Sequence, residues 1–158
     1  MKLRLIILFV SLFAFSCKVT DNTHKYYDEA LNLHSNGEYD QCLVKLHLLV
    51  NTYPNSYYIP NAYYLISEIY LNEFKEYDIS ILYLNKVLNL FPEHELSKKC
   101  LFTLAYINAN YIDSFTDAIN LYNQFLLKYP NDDLIPSVKY ELENLLVIKN
   151  KIDSLIDS

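Results

Sequence analysis

The chain has 158 residues, of which 52% are hydrophobic and 20% charged, and this composition predicts a single globular domain. It contains one glycine, Gly37, so it cannot form a glycine-rich phosphate-binding loop, which needs several glycines. Without residues 1–16 the chain has 11 cationic side chains against 19 acidic ones, a net charge of −8. An acidic chain without a basic stripe is not expected to bind nucleic acid.

The N-terminal segment has the pattern of a secretory signal peptide. The basic start Met1–Arg4 precedes an apolar run from Leu5 to Phe15, which only Ser11 interrupts. A membrane-spanning helix needs roughly 20 apolar residues, so this run is about half the required length. We therefore predict that residues 1–16 direct export and are removed.

The residues around Cys17 predict a lipid anchor. Ala14-Phe15-Ser16-Cys17 resembles a bacterial lipobox, in which the cysteine that follows a small residue is lipidated and becomes the mature N-terminus. The resemblance implies a lipidated Cys17 and a short tether over residues 17–23. By the same resemblance, Lys18 favours attachment to the outer membrane, and we expect the periplasmic face. Ordinary cleavage that leaves Cys17 free is the alternative.

Three segments with an aromatic residue, a proline and a polar residue recur at a fixed spacing. Their prolines, 38 residues apart, are Pro54, Pro92 and Pro130. Aligning the chain on these prolines brings two further sets into register, one aromatic and one small: Tyr39, Tyr77 and Phe115, then Cys42, Ser80 and Ala118. Apolar residues follow helical spacing and each run ends near its proline, which a helix interior does not tolerate. The unit is therefore helix, turn, helix, proline.

Apolar periodicity and these breaks together predict seven helices. They span about 24–35, 39–52, 58–72, 77–91, 96–110, 115–129 and 134–148. The domain covers residues 24–158. Its parts are three repeats of about 24–56, 57–94 and 95–132 and a capping segment, 133–158.

The repeat unit resembles the tetratricopeptide repeat. Gly37, Tyr39 and Cys42 match the family's turn into the second helix, and the three prolines match its last turn. The small-residue positions of the first helices are Ala30, Ser67 and Ala105. The resemblance implies an all-α, right-handed superhelix of antiparallel helix pairs. Units of 38 residues are also similar to those of periplasmic repeat lipoproteins, such as the repeat subunit of the outer-membrane β-barrel assembly machine and the Tol-Pal coordinator.

In this family the first helix of each unit lines the concave face, which implies a groove for partner proteins or peptides. The residues that the resemblance places there, or in the seam beside it, are Tyr27, Leu31, Tyr64, Glu68, Leu71, Phe102 and Tyr106. Tyrosine suits peptide binding because its large ring carries a polar tip at low entropic cost. The alternative is that these rings only seal adjacent repeats.

The sequence shows no arrangement for catalysis or metal binding. None of the four histidines (His24, His34, His47 and His94) has close metal-ligand spacing, and no nucleophile has an assignable base. We therefore expect no enzyme activity, no metal, no cofactor and no small-molecule substrate. Cys42 and Cys100 fall in repeats that are not neighbours, so we predict two separate buried thiols rather than a disulfide.

The C-terminal end is apolar in a way that a simple amphipathic helix does not require. Leu145–Ile148 are consecutive apolar residues, and Ile152, Leu155 and Ile156 follow. We expect the tail, residues 149–158, to fold back over this patch; a partner surface is the alternative. The favoured function is a lipid-anchored scaffold for envelope proteins. A homodimer through this helix is the alternative, and an envelope enzyme module is the least favoured.

Overall fold

A computed structural model describes residues 23–156, so the predicted signal peptide, Cys17 and nearly all of the predicted tether lie outside the described residues. The described residues form helices and no strands. The helices are α1 Thr23–Ser35, α2 Tyr39–Thr52, α3 Ile59–Ile69, α4 Tyr77–Leu90, α5 Leu96–Asn110, α6 Phe115–Lys128 and α7 Ile135–Ile156. A π-helical segment, Tyr70–Phe74, continues α3. The predicted all-α fold of helix pairs is confirmed.

The 38-residue period is visible in the backbone. The second helices α2, α4 and α6 begin at Tyr39, Tyr77 and Phe115, and they end at Thr52, Leu90 and Lys128. Each end lies two residues before one of the three prolines, because a proline provides no amide N–H and restricts the residue before it. The aromatic-proline motif therefore ends every second helix at the same place.

The linkers after the prolines share one geometry although their sequences differ. In each linker one side chain accepts a hydrogen bond from the backbone N–H two residues later. The three pairs are Ser56 Oγ with Tyr58 (3.2 Å), His94 Nδ1 with Leu96 (3.2 Å) and Asp132 Oδ1 with Leu134 (2.9 Å). These residues are again 38 apart. Such side chains satisfy amide donors where a helix begins, so the next first helix starts in the same way each time.

The turn inside each repeat has a residue in the left-handed backbone region at the same repeat position. These residues are Gly37 (φ 75°), Lys75 (φ 58°) and Asp113 (φ 53°). The first turn is one residue tighter, since the Glu38 amide donates to a carbonyl five residues back, whereas Glu76 and Ser114 donate six back. The π-helical segment accommodates the extra residue in the second repeat. This explains why Ala30 lies 37 residues before Ser67, while Ser67 lies 38 before Ala105.

Small residues are buried where the two helices of a repeat cross. Ala30, Ser67 and Ala105 on the first helices, and their counterparts on the second helices, are at most 1% exposed; the counterparts are Cys42, Ser80 and Ala118. The Cys42 thiol lies 3.1 Å from the Ala30 carbonyl oxygen, so the backbones approach closely at this point. A larger side chain here would force the helices apart.

The core runs along the solenoid as three adjoining clusters. The first is built mainly from α1, α2 and α3, the second from α4 and α5 with side chains of α3, and the third from α5, α6 and α7. Cys42 belongs to the first cluster and Cys100 to the second, and both are buried and free. The prediction of two separate buried thiols is confirmed.

The C-terminal tail corrects one expectation. Residues 149–156 continue α7 as one helix of 22 residues, so the tail does not fold back. Val147 and Ile156 are 68% and 76% exposed, because no second helix follows α7 in the described chain. At the other end, α1 begins at Thr23, which was expected to belong to the tether. Among residues 23–156, none of the helices combines the length and apolarity that crossing a bilayer requires.

Candidate partner-binding face

The first helices α1, α3 and α5 lie beside one another and expose one side chain layer. We call this layer the first-helix face and define it by six of the seven residues predicted for the groove: Tyr27, Leu31, Tyr64, Glu68, Leu71 and Tyr106. All are partly buried except Leu31, which is 42% exposed. Partial burial leaves each side chain one surface for packing and one for contact with a partner.

Tyr27 joins the first repeat to the second. Its ring stacks on Tyr58, with centroids 5.1 Å apart. Its hydroxyl interacts with the Asn61 side chain and lies near Glu68, and burial, followed by the Glu68 charge, raises the pKa of Tyr27. The phenol therefore stays neutral and acts as a fixed hydrogen-bonding group between α1 and α3.

Glu68 occupies the middle of the face. Its carboxylate interacts with the Tyr64 hydroxyl, which also contacts Thr103 of α5. Burial raises the pKa of Glu68, while the Tyr64 hydroxyl and then the more remote His34 and Lys99 partly offset this effect. Glu68 is thus a carboxylate at the meeting point of three helices, and its hydrogen-bond partner there is neutral.

Tyr106 and Leu71 extend the face toward the intra-repeat turns. The Tyr106 ring meets Tyr111 edge-on, with centroids 5.9 Å apart, and burial raises the pKa of Tyr106. Glu141 of α7 is a further, smaller cause of this rise, which places Tyr106 between α5 and α7. Leu71 packs against the second core cluster.

Phe102 lies in the seam beside the face. Its ring contacts Tyr122 at 5.8 Å and Phe125 at 6.5 Å between centroids, and both partners are fully buried on α6. Phe102 therefore serves packing within the third repeat. The sequence register allowed either position, and the contacts with α6 decide between them.

Sequence analysis missed several polar neighbours of Glu68, among them Asn61, Lys99 and Thr103. Asn61 and Lys99 each precede an expected groove residue, Tyr64 or Phe102, by three positions, which is one helical turn. The spacing alone would have found both. The hydrogen bond of Thr103 with Tyr64 depends on how α3 and α5 pack, so no sequence pattern indicated it.

A second aromatic group, also missed, lies between α2, α3 and α4. Tyr83 is 5.8 Å from Tyr63 and 6.4 Å from Tyr70 between centroids, and Lys86 Nζ lies 4.7 Å from the Tyr83 ring centroid. The rings belong to consecutive helices and pack against the first core cluster. They seal the first repeat against the second, as the alternative for the tyrosines had proposed.

The described residues contain few groups suited to covalent chemistry. Burial raises the pKa of Cys42 to about 11 and that of Cys100 to about 12, so both thiols stay protonated at neutral pH. Within residues 23–156, no three His, Cys, Asp or Glu side chains are placed to hold a metal ion. The arrangement on the first-helix face can stack, hydrogen-bond and pair charges.

One family model matches the chain. The tetratricopeptide repeat model covers residues 99–132, which include nearly all of α5, all of α6 and the start of the following linker. No curated protein matches the chain. Tetratricopeptide repeats are typically non-catalytic modules that bind proteins. The matched segment, together with two further helix pairs of the same period, supports a tetratricopeptide-repeat protein.

Proposed function

We propose that the protein is a scaffold that binds partner proteins through the first-helix face. The observation that carries this proposal is a row of partly buried tyrosines, Tyr27, Tyr64 and Tyr106, on three neighbouring first helices. Their hydroxyls meet polar groups and their rings are held by stacking, so little side-chain entropy would be lost on binding. Exposed Leu31 adds apolar contact area at the α1 end of the face.

We further propose that the scaffold works in a bacterial envelope, anchored by lipid at Cys17 on the periplasmic face of the outer membrane. The order of basic start, apolar run, small residue and cysteine supports export and lipidation. The resemblance to periplasmic repeat lipoproteins favours a role in outer-membrane protein assembly or envelope coordination. Growth with an alkyne-bearing fatty acid should label the wild type but not Cys17→Ala, and equal labelling of both would refute the anchor.

Partner capture tests the scaffold. The tagged full chain would be isolated from its own membranes in mild detergent, and co-purifying proteins identified by mass spectrometry. Leu31→Glu with Tyr106→Ala should lose specific partners. Leu82→Glu is the matched control, since Leu82 is 53% exposed on a second helix. An unchanged partner list in the double variant, with helicity retained by circular dichroism, would refute the role of the first-helix face.

Self-association through α7 is a second candidate function, because this helix exposes large apolar side chains. Val147 and Ile156 are the most exposed of them apart from Leu155. Light scattering of the full chain in detergent should show a dimer at micromolar concentration, and Val147→Glu with Ile156→Glu should give a monomer. Leu127→Glu, at an 84% exposed position on α6, is the matched control. A monomeric wild type would exclude this candidate.

A further inference from the structure

The carboxylate of Glu68 differs from the acidic groups that form ion pairs in the described chain. Glu29 and Asp132 each have a lysine Nζ at 2.6 Å, from Lys45 and Lys98. Glu68 forms none of the ion pairs found among residues 23–156, and its hydrogen-bond partner is the Tyr64 hydroxyl. The chain thus places a partly buried negative charge on its candidate binding face without pairing it.

Two basic groups are near Glu68, and neither neutralises it. Lys99 is exposed on α5, and its effect on the Glu68 carboxyl is the smallest of the identified causes. His34 acts at a similar distance from α1 and is also a minor contributor. Burial has the largest effect, and it raises the pKa of Glu68. An exposed lysine remains hydrated and contributes little to an ion pair, whereas a desolvated carboxylate gains most from a cation brought into contact.

The groups around Glu68 also suit the stem of a basic side chain. Tyr27 and Tyr64 lie on two sides of the carboxylate, one from α1 and one from α3. Aromatic rings attract lysine and arginine cations, and the aliphatic stem of either residue packs well on apolar surface. A cation that reaches Glu68 therefore meets a complementary charge and complementary packing.

We propose that Glu68 selects partner segments that place a lysine or arginine side chain between Tyr27 and Tyr64. This inference rests on the proposed function and specifies the partner: a protein segment with a basic residue at the docking position. Neutral or acidic segments would bury the Glu68 charge without a counter-charge, which costs binding free energy. The negative net charge of the whole chain would steer the same class of partner.

A displayed library of random nine-residue peptides tests this proposal. The library would be selected on the immobilised full chain in detergent and, in parallel, on Glu68→Gln, Lys99→Gln and Glu93→Gln. Glu68→Gln removes the charge and keeps the shape. Lys99→Gln removes the opposing cation, and Glu93→Gln removes an exposed charge in a linker as the control.

We expect enriched peptides to carry lysine or arginine at one position, and Glu68→Gln to abolish this preference. For one enriched peptide, fluorescence anisotropy should give about tenfold weaker binding to Glu68→Gln, which equals about 1.4 kcal/mol. Lys99→Gln should bind it more tightly, and Glu93→Gln should match the wild type. An unchanged dissociation constant in Glu68→Gln would overturn the proposal.

The outcomes separate this inference from the proposed function. Enriched peptides without basic residues, whose binding is lost in Leu31→Glu with Tyr106→Ala, would overturn the role of Glu68 and keep the scaffold. Failure to enrich any peptide that depends on the first-helix face would overturn both. Circular dichroism of each variant shows whether a loss of binding comes from a loss of fold.

Discussion

Helices α5 and α7 occupy equivalent repeat positions, yet nine residues of α5 are buried and only Val138 and Leu145 of α7 are. The difference is that α6 follows α5, whereas no second helix follows α7 in the described chain. The sequence anticipates this in the first half of α7, where Lys139 and Glu143 replace the buried Leu101 and Ala105. The second half keeps apolar residues. A repeat array thus needs a polar surface where stacking stops, and α7 supplies it over half its length.

Exchanging residues between the two helices should give the largest effect. Leu101→Lys places a charge in the packed α5–α6 seam, where Leu101 is 3% exposed, and should destabilise the protein by about 4 kcal/mol or more. Lys139→Leu, the reverse change at the equivalent α7 position, should alter the unfolding free energy by less than about 0.5 kcal/mol. Urea denaturation followed by circular dichroism measures both. Equal effects would show that the two helices are equally enclosed.

Asp132 holds α7 to the third repeat and should give the next largest effect. One carboxylate oxygen accepts from Lys98 Nζ of α5 at 2.6 Å, and the other accepts from the Leu134 amide just before α7. Asp132→Ala should therefore destabilise by about 1–2 kcal/mol at neutral pH, a range typical of a lost helix cap.

The pH dependence of this effect has a defined sign. The Lys98 hydrogen bond, and then the Leu134 amide, lower the pKa of Asp132 below its usual value. Its contribution is therefore present above the unfolded pKa of about 4 and is lost as the pH falls through the folded pKa. Thermal melts from pH 7 to pH 3 should show the wild type and Asp132→Ala converging below about pH 4. A constant difference would contradict the ion pair.

The intra-repeat turns close the first three helix pairs, and α7 lacks such a turn in the described chain. Gly37→Ala should cost about 1 kcal/mol through its positive φ alone, since nothing lies within 4 Å of an added Cβ. Lys75→Gly should instead stabilise by about 0.5 kcal/mol, because glycine adopts this conformation without strain. Urea midpoints of both variants test this pair. Opposite signs are required, and a stabilising Gly37→Ala would refute the account.

The smallest effect compares an enclosed carboxylate with an open one. Because burial raises the pKa of Glu68, its ionised form opposes folding at neutral pH, and this cost disappears as the pH falls through the folded pKa. Glu68→Gln should therefore be more stable than the wild type at pH 7, by less than about 1 kcal/mol, and equal to it at low pH. Glu143→Gln, exposed on α7, should match the wild type at both pH values. Melting temperatures decide between these outcomes.

The sequence predicted the helices closely because the proline motif and the apolar period mark the same boundaries. It did not predict the π-helical segment or the left-handed Lys75, since lysine carries no local signal for that conformation. The fold-back of the tail was wrong, because an apolar run indicates a buried surface without showing what covers it. The neighbours of Glu68 were only partly predictable, since helical spacing indicates which side chains share a helix face but not how α1, α3 and α5 pack.

The shared linker geometry at Ser56, His94 and Asp132 makes the protein modular in an engineering sense. Each unit between two such residues begins and ends with the same backbone geometry, so the residues 95–132 define a cassette whose two junctions match. A second copy of that cassette placed after residue 132 would meet α5-like and α7-like neighbours at joints that already exist in the chain. The length of the array, and with it the length of segment that it can bind, is therefore a quantity that duplication can change in steps of 38 residues without redesigning any contact.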